Sequence, residues 1–312
     1  TLHAHPDGPL AAVVDLRYAD WRVAVVDLEG ALHDTANGRH ASKRPERVFA
    51  DIRKALGDLA DRHGGRVRAV SVSATGTVRR SAIVQSSVLG WRDVEVEPLL
   101  PGVPQVLGND ATLAGLAEAR SAHPGKGVLY LTIEVGIGGI FVDEGRAVIG
   151  ATGAGGEFGH GPFGDPTVPC PCGATGCWDV AVDGRAVARL LGEEEPADPR
   201  AYLIDALTDP ASRAAVEECA AVLGRGTAGL VNILDPEVVS LGGLAPELRR
   251  AANEPFDEAY MAGLMGFRRD DPPELLPSVL GPDAAMLGAA EAAFDMILTE
   301  HGMAAWAEER FA

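Results

Sequence analysis

Aromatic residues are scarce, at 5 % of 312 positions, so an interior built on rings is excluded. Hydrophobic residues reach 46 %, and Ala, Val and Leu must fill that interior instead. No run approaches the ~20 uninterrupted apolar residues that a membrane helix needs. No basic-then-apolar signal segment opens the chain. These two absences exclude a membrane partner and lead to the expectation of a soluble, cytoplasmic protein. Positive charge is also short. Lys and Arg number 27 against 45 Asp and Glu, a net charge of −18, which repels a phosphate backbone and makes this chain a poor nucleic-acid binder. Cysteine is limited to four residues, three of them within eight positions: Cys170, Cys172 and Cys177. A disulfide framework spreads its cysteines to close loops, so clustered thiols point to metal in a reducing compartment.

A chain of this length is long for one core, so two lobes are expected. Residues 1–10 read as a disordered leader or linker remnant. Ala11-Ala-Val-Val-Asp-Leu16 and Trp21-Arg-Val-Ala-Val-Val26 predict a strand hairpin, and Ala31–Asp34 a third short strand. Val48, Ile52, Leu56 and Leu59 share one face of a helix over 44–62. Arg66–Val72 reads as a strand, Thr75–Trp91 as loop and Val94–Leu100 as a short helix. Pro104–Leu107 reads as a strand running into Asn109-Asp110, followed by a helix to about Ala122. A second strand group covers Val128–Thr132, Gly139–Val142 and Ala147–Ile149. Beyond 183 the pattern is helical except at Val238-Val-Ser-Leu241, and a last helix spans about 283–300. Two strand groups wrapped in helices suggest two related α/β lobes: 11–122, joined by a returning segment at about 294–312, and 123–293. Ligands of such folds bind where loops leave strand ends, here the cleft between lobes.

The cysteine run is Cys170-Pro-Cys-Gly-Ala-Thr-Gly-Cys177, with His160 ten residues before it. Zinc takes four soft or borderline ligands in a tetrahedron, and Gly173 and Gly176 allow the backbone to turn between the thiols. The competing reading is three buried free cysteines. A closed Cys3His site leaves no position for substrate, so such a metal is structural. Glu157 stands three residues before His160 and can accept from two sugar hydroxyls, or else it is a helix-start carboxylate. Asn109-Asp110 lies at a strand end before a helix. Asp110 is either a general base for a sugar hydroxyl or half of a plain helix cap. Asp179, just past Cys177-Trp178, is tied down by the same knuckle.

These segments resemble the ROK family (repressors, open reading frames and sugar kinases). Gly156-Glu-Phe-Gly-His160 and the cysteine run match its signature in order and spacing. Gly108-Asn-Asp-Ala111 resembles the catalytic segment, and Gly136-Ile-Gly-Gly139 the second phosphate loop. Leu234-Asp-Pro-Glu-Val-Val-Ser-Leu-Gly-Gly243 resembles the nucleotide-side segment, and Leu287-Gly-Ala-Ala290 the closing helix. The likeness covers roughly 11–300. It implies an α/β, actin-like ATPase or sugar kinase (ribonuclease H-like) fold with two lobes around a central cleft. It implies zinc on His160, Cys170, Cys172 and Cys177. It implies a sugar held by Asn109, Asp110, Glu157, His160 and Asp179, the last in place of the usual Glu, with the Thr75-Gly76 loop beside it. Gly136, Gly138, Gly139, Gly242 and Gly243 stand where family members meet nucleotide. A homodimer or homotetramer is also implied.

The family holds kinases and repressors. Its kinases carry Asp followed by Gly-Gly-Thr in the first phosphate loop, so that amides approach phosphate closely. This chain has Asp15-Leu-Arg-Tyr-Ala-Asp20 there, and Glu134-Val-Gly136 in the second loop. Eroded phosphate loops beside an intact sugar half lead to the expectation of a repressor's sugar-sensing domain. Asp110 is then vestigial, and DNA binding belongs to an N-terminal winged helix-turn-helix not present here. The alternatives are an active kinase using ATP and Mg, and a stand-alone sugar-binding protein.

Overall fold

The computed structural model describes residues 5, 7–300, 302 and 304. Residues 1–4 and 6 of the expected leader lie outside the described residues, as do 301, 303 and 305–312 of the expected returning segment. Strands and helices alternate as β1 (Leu10–Leu16), β2 (Asp20–Val26), β3 (Leu32–Arg39), α1 (Pro45–Arg62), β4 (Val67–Ala74), β5 (Thr77–Arg79), β6 (Ala82–Ser86), β7 (Trp91–Glu95), β8 (Gln105–Asn109) and α2 (Asp110–Ala122). Then come β9 (Val128–Glu134), β10 (Gly136–Asp143), β11 (Arg146–Ala147), α3 (Gly184–Leu191), α4 (Pro199–Ala206), α5 (Arg213–Leu234) and β12 (Val238–Gly243). The chain closes with α6 (Ala245–Ala251), α7 (Asn253–Gly263), α8 (Gly266–Arg269), β13 (Glu274–Pro277) and α9 (Ala284–Ile297). No helix among the described residues is long and apolar enough to cross a membrane.

The chain divides into two units: residues up to Ala117 with those from Asp283 onward, and Glu118–Pro282. The first boundary falls five residues before the expected 122. The whole of α9, not only its tail, belongs with the first unit.

In the first unit the sheet order is β3-β2-β1-β4-β8. Strands β1 and β4 are parallel, as are β4 and β8, while β1, β2 and β3 pair antiparallel. Strand β1 is buried along its entire length, because both faces are covered. The period of two sorts its side chains. Leu10, Ala12, Val14 and Leu16 join the core with Ile52, Leu56 and Leu59 of α1, whereas Ala11 and Val13 meet Ala289, Ala290 and Ala293 of α9. Pro45 opens α1, where its missing N–H costs nothing. The segment 77–95 is a three-stranded antiparallel sheet, β5-β6-β7. This corrects the reading of 75–91 as loop and of 94–100 as helix. Trp91, buried at the start of β7 with its indole N–H on the Lys43 carbonyl at 2.7 Å, is what anchors the strand.

The second unit repeats the pattern. Its sheet order is β11-β10-β9-β12-β13, with β9–β10 and β10–β11 antiparallel and β9–β12 and β12–β13 parallel. Helices α5 and α7 pack beside it through Leu223, Val231 and Phe256.

One buried acid ties this unit together. Glu118, in α2, is 0 % exposed, and its carboxylate accepts from Ser240 Oγ at 3.1 Å and Ser278 Oγ at 2.8 Å. The backbone N–H groups of Val279 (3.1 Å) and Leu280 (3.3 Å) donate to it as well. Glu118→Ala strands four donors at once, and each unpaired buried group costs roughly 1–3 kcal/mol. The expected loss is about 3 kcal/mol or more of unfolding free energy, read from urea titration. A loss below about 0.5 kcal/mol, the scale of a surface change, would remove Glu118 from this role.

Candidate functional site

In the second unit, a single 3₁₀ turn at Phe158–His160 precedes the cysteine run. The run folds as a tight hairpin: Cys170 N–H donates to Ala174 O at 2.8 Å, and Gly173 N–H to Cys170 O at 2.9 Å. Gly173 and Gly176 take φ of 102° and 72°, which is why glycine stands at these turns. One ligand atom each from His160, Cys170, Cys172 and Cys177 lies within 4.8 Å of the others. Cys172 Sγ and Cys177 Sγ are 3.6 Å apart, and Cys170 Sγ is 3.8 Å from His160 Nδ1. A tetrahedron with Zn–S bonds of about 2.3 Å spaces its ligand atoms by roughly 3.8 Å, so the four residues fit a zinc ion. Burial pushes the Cys170 thiol up to about 12 and raises that of Cys177. A cation among them is the natural means of holding thiolates there.

The knuckle is seated on the core. Trp178, directly after Cys177, is fully buried and donates its indole N–H to Val222 O in α5 at 3.2 Å. His160 turns Nδ1 to the thiols and Nε2 toward Glu157, 3.9 Å from its Oε2. Glu157 precedes the 3₁₀ turn but its carboxylate makes no capping bond. The Glu157 side chain is about one third exposed.

In the first unit, Asn109 and Asp110 divide the labour between them. Asn109 Oδ1 accepts from Thr112 N–H at 2.8 Å, so it is the residue that caps α2. Its amide nitrogen donates to Gly76 O at 3.0 Å and to Asp110 Oδ1 at 3.1 Å. Asp110 Oδ1 also accepts from Ala111 N–H at 2.8 Å, while Oδ2 receives the Thr75 hydroxyl at 2.8 Å. With the cap supplied by Asn109, the half-buried Asp110 carboxylate is held by Asn109, Ala111 and Thr75.

The glycines expected to meet nucleotide lie on the second sheet. Gly136, Gly138 and Gly139 open β10 against β9, and Gly242 and Gly243 end β12 opposite Thr132 and Ile133. The Tyr130 ring fills the space beside Gly242, where a Cβ would sit 2.3 Å from its hydroxyl. In the first unit the hairpin between β1 and β2 holds Asp15, whose burial pushes its carboxyl pKa up, with Arg17 Nε on Asp15 Oδ2 at 2.6 Å. Glu134 is paired with Arg200. Asp179 points both carboxylate oxygens inward, one to Ile137 N–H at 3.3 Å and one to Arg185 Nη2 at 3.1 Å. The sequence reading missed Arg185 and Asp183, its other partner; the one local signal was Asp183 as an N-cap before Gly184.

The ROK family model matches residues 12–295. A glucokinase of Streptomyces coelicolor is 27% identical over 308 residues, spanning 90% of this chain and 96% of that one. Among solved structures, a ROK family glucokinase from Streptomyces griseus in complex with glucose and AMPPNP is similar at a TM-score of 0.77 and 26% identity, covering 92% of this chain and 99% of that one. The ROK hexokinase from Thermus thermophilus is similar at a TM-score of 0.71 and 30% identity, with 92% and 99% covered. These relatives are named as kinases, and they overturn the expectation of a repressor's sensing domain. The physical basis of that expectation weakens too. It counted Glu134 of the second phosphate loop as a bare acid, yet Glu134 carries Arg200. Matched over nearly its whole length, the chain belongs to the ROK family.

Proposed function

We propose that this protein is an ATP-dependent kinase of a hexose or hexose-like sugar. The observation that carries the reading is the end-to-end likeness to three sugar kinases, each covered over at least 96% of its own length. Asp110 adds local support, since Asn109 caps the helix in its place and Thr75 fixes one of its oxygens. In this reading Asp110 accepts the proton of the sugar hydroxyl that attacks the terminal phosphorus. Asn109, Asp110 and the Gly76 loop are the sugar-binding groups of the first unit; Glu157 and His160 are those of the second. Asp15, Gly136, Gly138, Gly139, Gly242 and Gly243 belong to the side that receives Mg-ATP. One zinc ion on His160, Cys170, Cys172 and Cys177 holds the knuckle, and its contribution is structural.

The test is ADP release at saturating Mg-ATP with glucose, mannose, N-acetylglucosamine and N-acetylmannosamine. Turnover of ~1 s⁻¹ or more with at least one sugar is expected. Sugar-induced thermal stabilisation with no ADP formed from any of them would defeat the reading. In the same assay Glu157→Ala should raise the KM for the accepted sugar by roughly 5- to 150-fold, the equivalent of 1–3 kcal/mol for hydroxyls left unpaired. An unchanged KM would remove Glu157 from the sugar.

A further inference from the structure

Two acids and one arginine are buried behind the turn that joins β9 to β10. Asp183 is 0 % and Arg185 8 % exposed. Arg185 bridges the acids: Nε donates to Asp183 Oδ2 at 2.8 Å, and Nη2 to Asp179 Oδ2 at 3.1 Å and to the Asp179 carbonyl at 3.1 Å. Asp183 Oδ1 accepts from the backbone N–H of Arg185 at 2.9 Å. Each acid also reaches a backbone N–H of the turn. Gly136 donates to Asp183 Oδ2 at 2.9 Å, and Ile137 to Asp179 Oδ1 at 3.3 Å. Gly136 has φ of 85°, and a Cβ on it would stand 1.9 Å from Asp179 Oδ1. Glycine is therefore needed twice there, for the backbone and for the approach of the acid. Asp179 follows Cys177 by two residues, so one end of the cluster is tied to the metal-binding knuckle.

Burying two carboxylates is costly unless every oxygen is paired, and here one guanidinium and three backbone N–H groups do the pairing. Apolar side chains would fill the same space with less penalty. What the ionic arrangement adds is direction, because each bond fixes where the Gly136 and Ile137 amides lie.

We propose that Asp179, Asp183 and Arg185 form a buried strut that sets the position of the Gly136–Ile137 turn from the metal knuckle. They are positioning residues for the nucleotide side of the reaction, and Asp179 acts on that turn rather than on the sugar. The catalytic part of this statement rests on the kinase reading; the strut itself does not.

The test uses the full chain and two readouts. Hydrogen exchange over residues 134–139 reports the turn, and the separate KM values for ATP and sugar report its use. Asp183→Asn, which keeps the shape, should speed exchange at Gly136 and Ile137 at least tenfold with metal content unchanged. It should raise the KM for ATP tenfold or more and move the sugar KM less than twofold. Arg185→Met should do the same more strongly. If it fails to fold, Asp183→Asn and Asp179→Asn still decide the matter. Unaltered exchange in Asp183→Asn overturns the strut. A raised sugar KM in Asp179→Asn, with exchange at 134–139 unmoved, returns Asp179 to the sugar site. If the wild-type chain releases no ADP with any sugar, the kinase reading fails, and faster exchange in Asp183→Asn still establishes the strut.

Discussion

Replacing Asp110 by Asn should lower kcat for the accepted sugar by about 10²- to 10⁴-fold, the range that a positioned general base contributes. Asn keeps the size and one acceptor oxygen, so the bond from Ala111 N–H or from Thr75 Oγ survives, but it takes no proton at neutral pH. Sugar KM should change only a few-fold, because most hydroxyl contacts remain. The fold should tolerate the change: the helix cap is Asn109, through Thr112 N–H. Loss of a negative charge in the first turn of α2 costs about 0.3–1 kcal/mol through the helix dipole. Stopped ADP-release assays with a melting curve on the same sample check all three. A kcat within threefold of wild type, with the fold intact, would end the assignment of Asp110 as base.

The second large effect is removal of the metal. Purified protein should contain about one zinc equivalent per chain. Structural zinc contributes folding energy outright, with apparent binding of about 10–16 kcal/mol in isolated fingers at neutral pH. Here the knuckle leans on Trp178 and α5, so the chain should remain largely folded when stripped and lose part of that sum. A loss of about 3–5 kcal/mol in a unit of this size corresponds to roughly 6–20 °C in Tm. Cys172→Ser should reproduce the loss of metal and the lower Tm, and should raise the sugar KM, since His160 is both a ligand and the neighbour of Glu157. A metal-free protein that melts where the wild type does would refute the site.

The knuckle was readable because its chemistry is contiguous: three thiols, two turn-forming glycines and a histidine within eighteen residues. Strands β1, β9 and β12 were readable because they are largely buried and correspondingly rich in apolar residues, and β4 because its polarity alternates. The β5-β6-β7 sheet was not. Of its thirteen residues only Val78, Ile83, Ser86 and Trp91 are buried, too sparse a pattern to betray a period of two. The four-residue edge strand β13 was missed for the same reason. Glu118 looked like any mid-helix acid, because its partners Ser240 and Ser278 lie more than 120 positions away. Asp183 was hidden likewise, since the Gly136 amide it serves lies 47 positions earlier. The second phosphate loop was misjudged through the same blindness to partners. A sequence displays Glu134 but not Arg200 beside it.

The return of α9 to the first sheet sets an order of events during synthesis. Residues 118–282 form an uninterrupted stretch, and that unit has everything it needs once Pro282 has emerged from the ribosome. The first unit begins earlier on the chain yet must wait longer, because Ala11, Val13, Ala24, Val26 and Ala69 are covered by Met286, Ala289, Ala290 and Ala293. Until those last residues arrive, one face of its sheet stays open to water, and to other nascent chains. The N-terminal half of this protein is thus made first and finished last. A stop codon just after Pro282 should leave the second unit complete and the first dependent on chaperones.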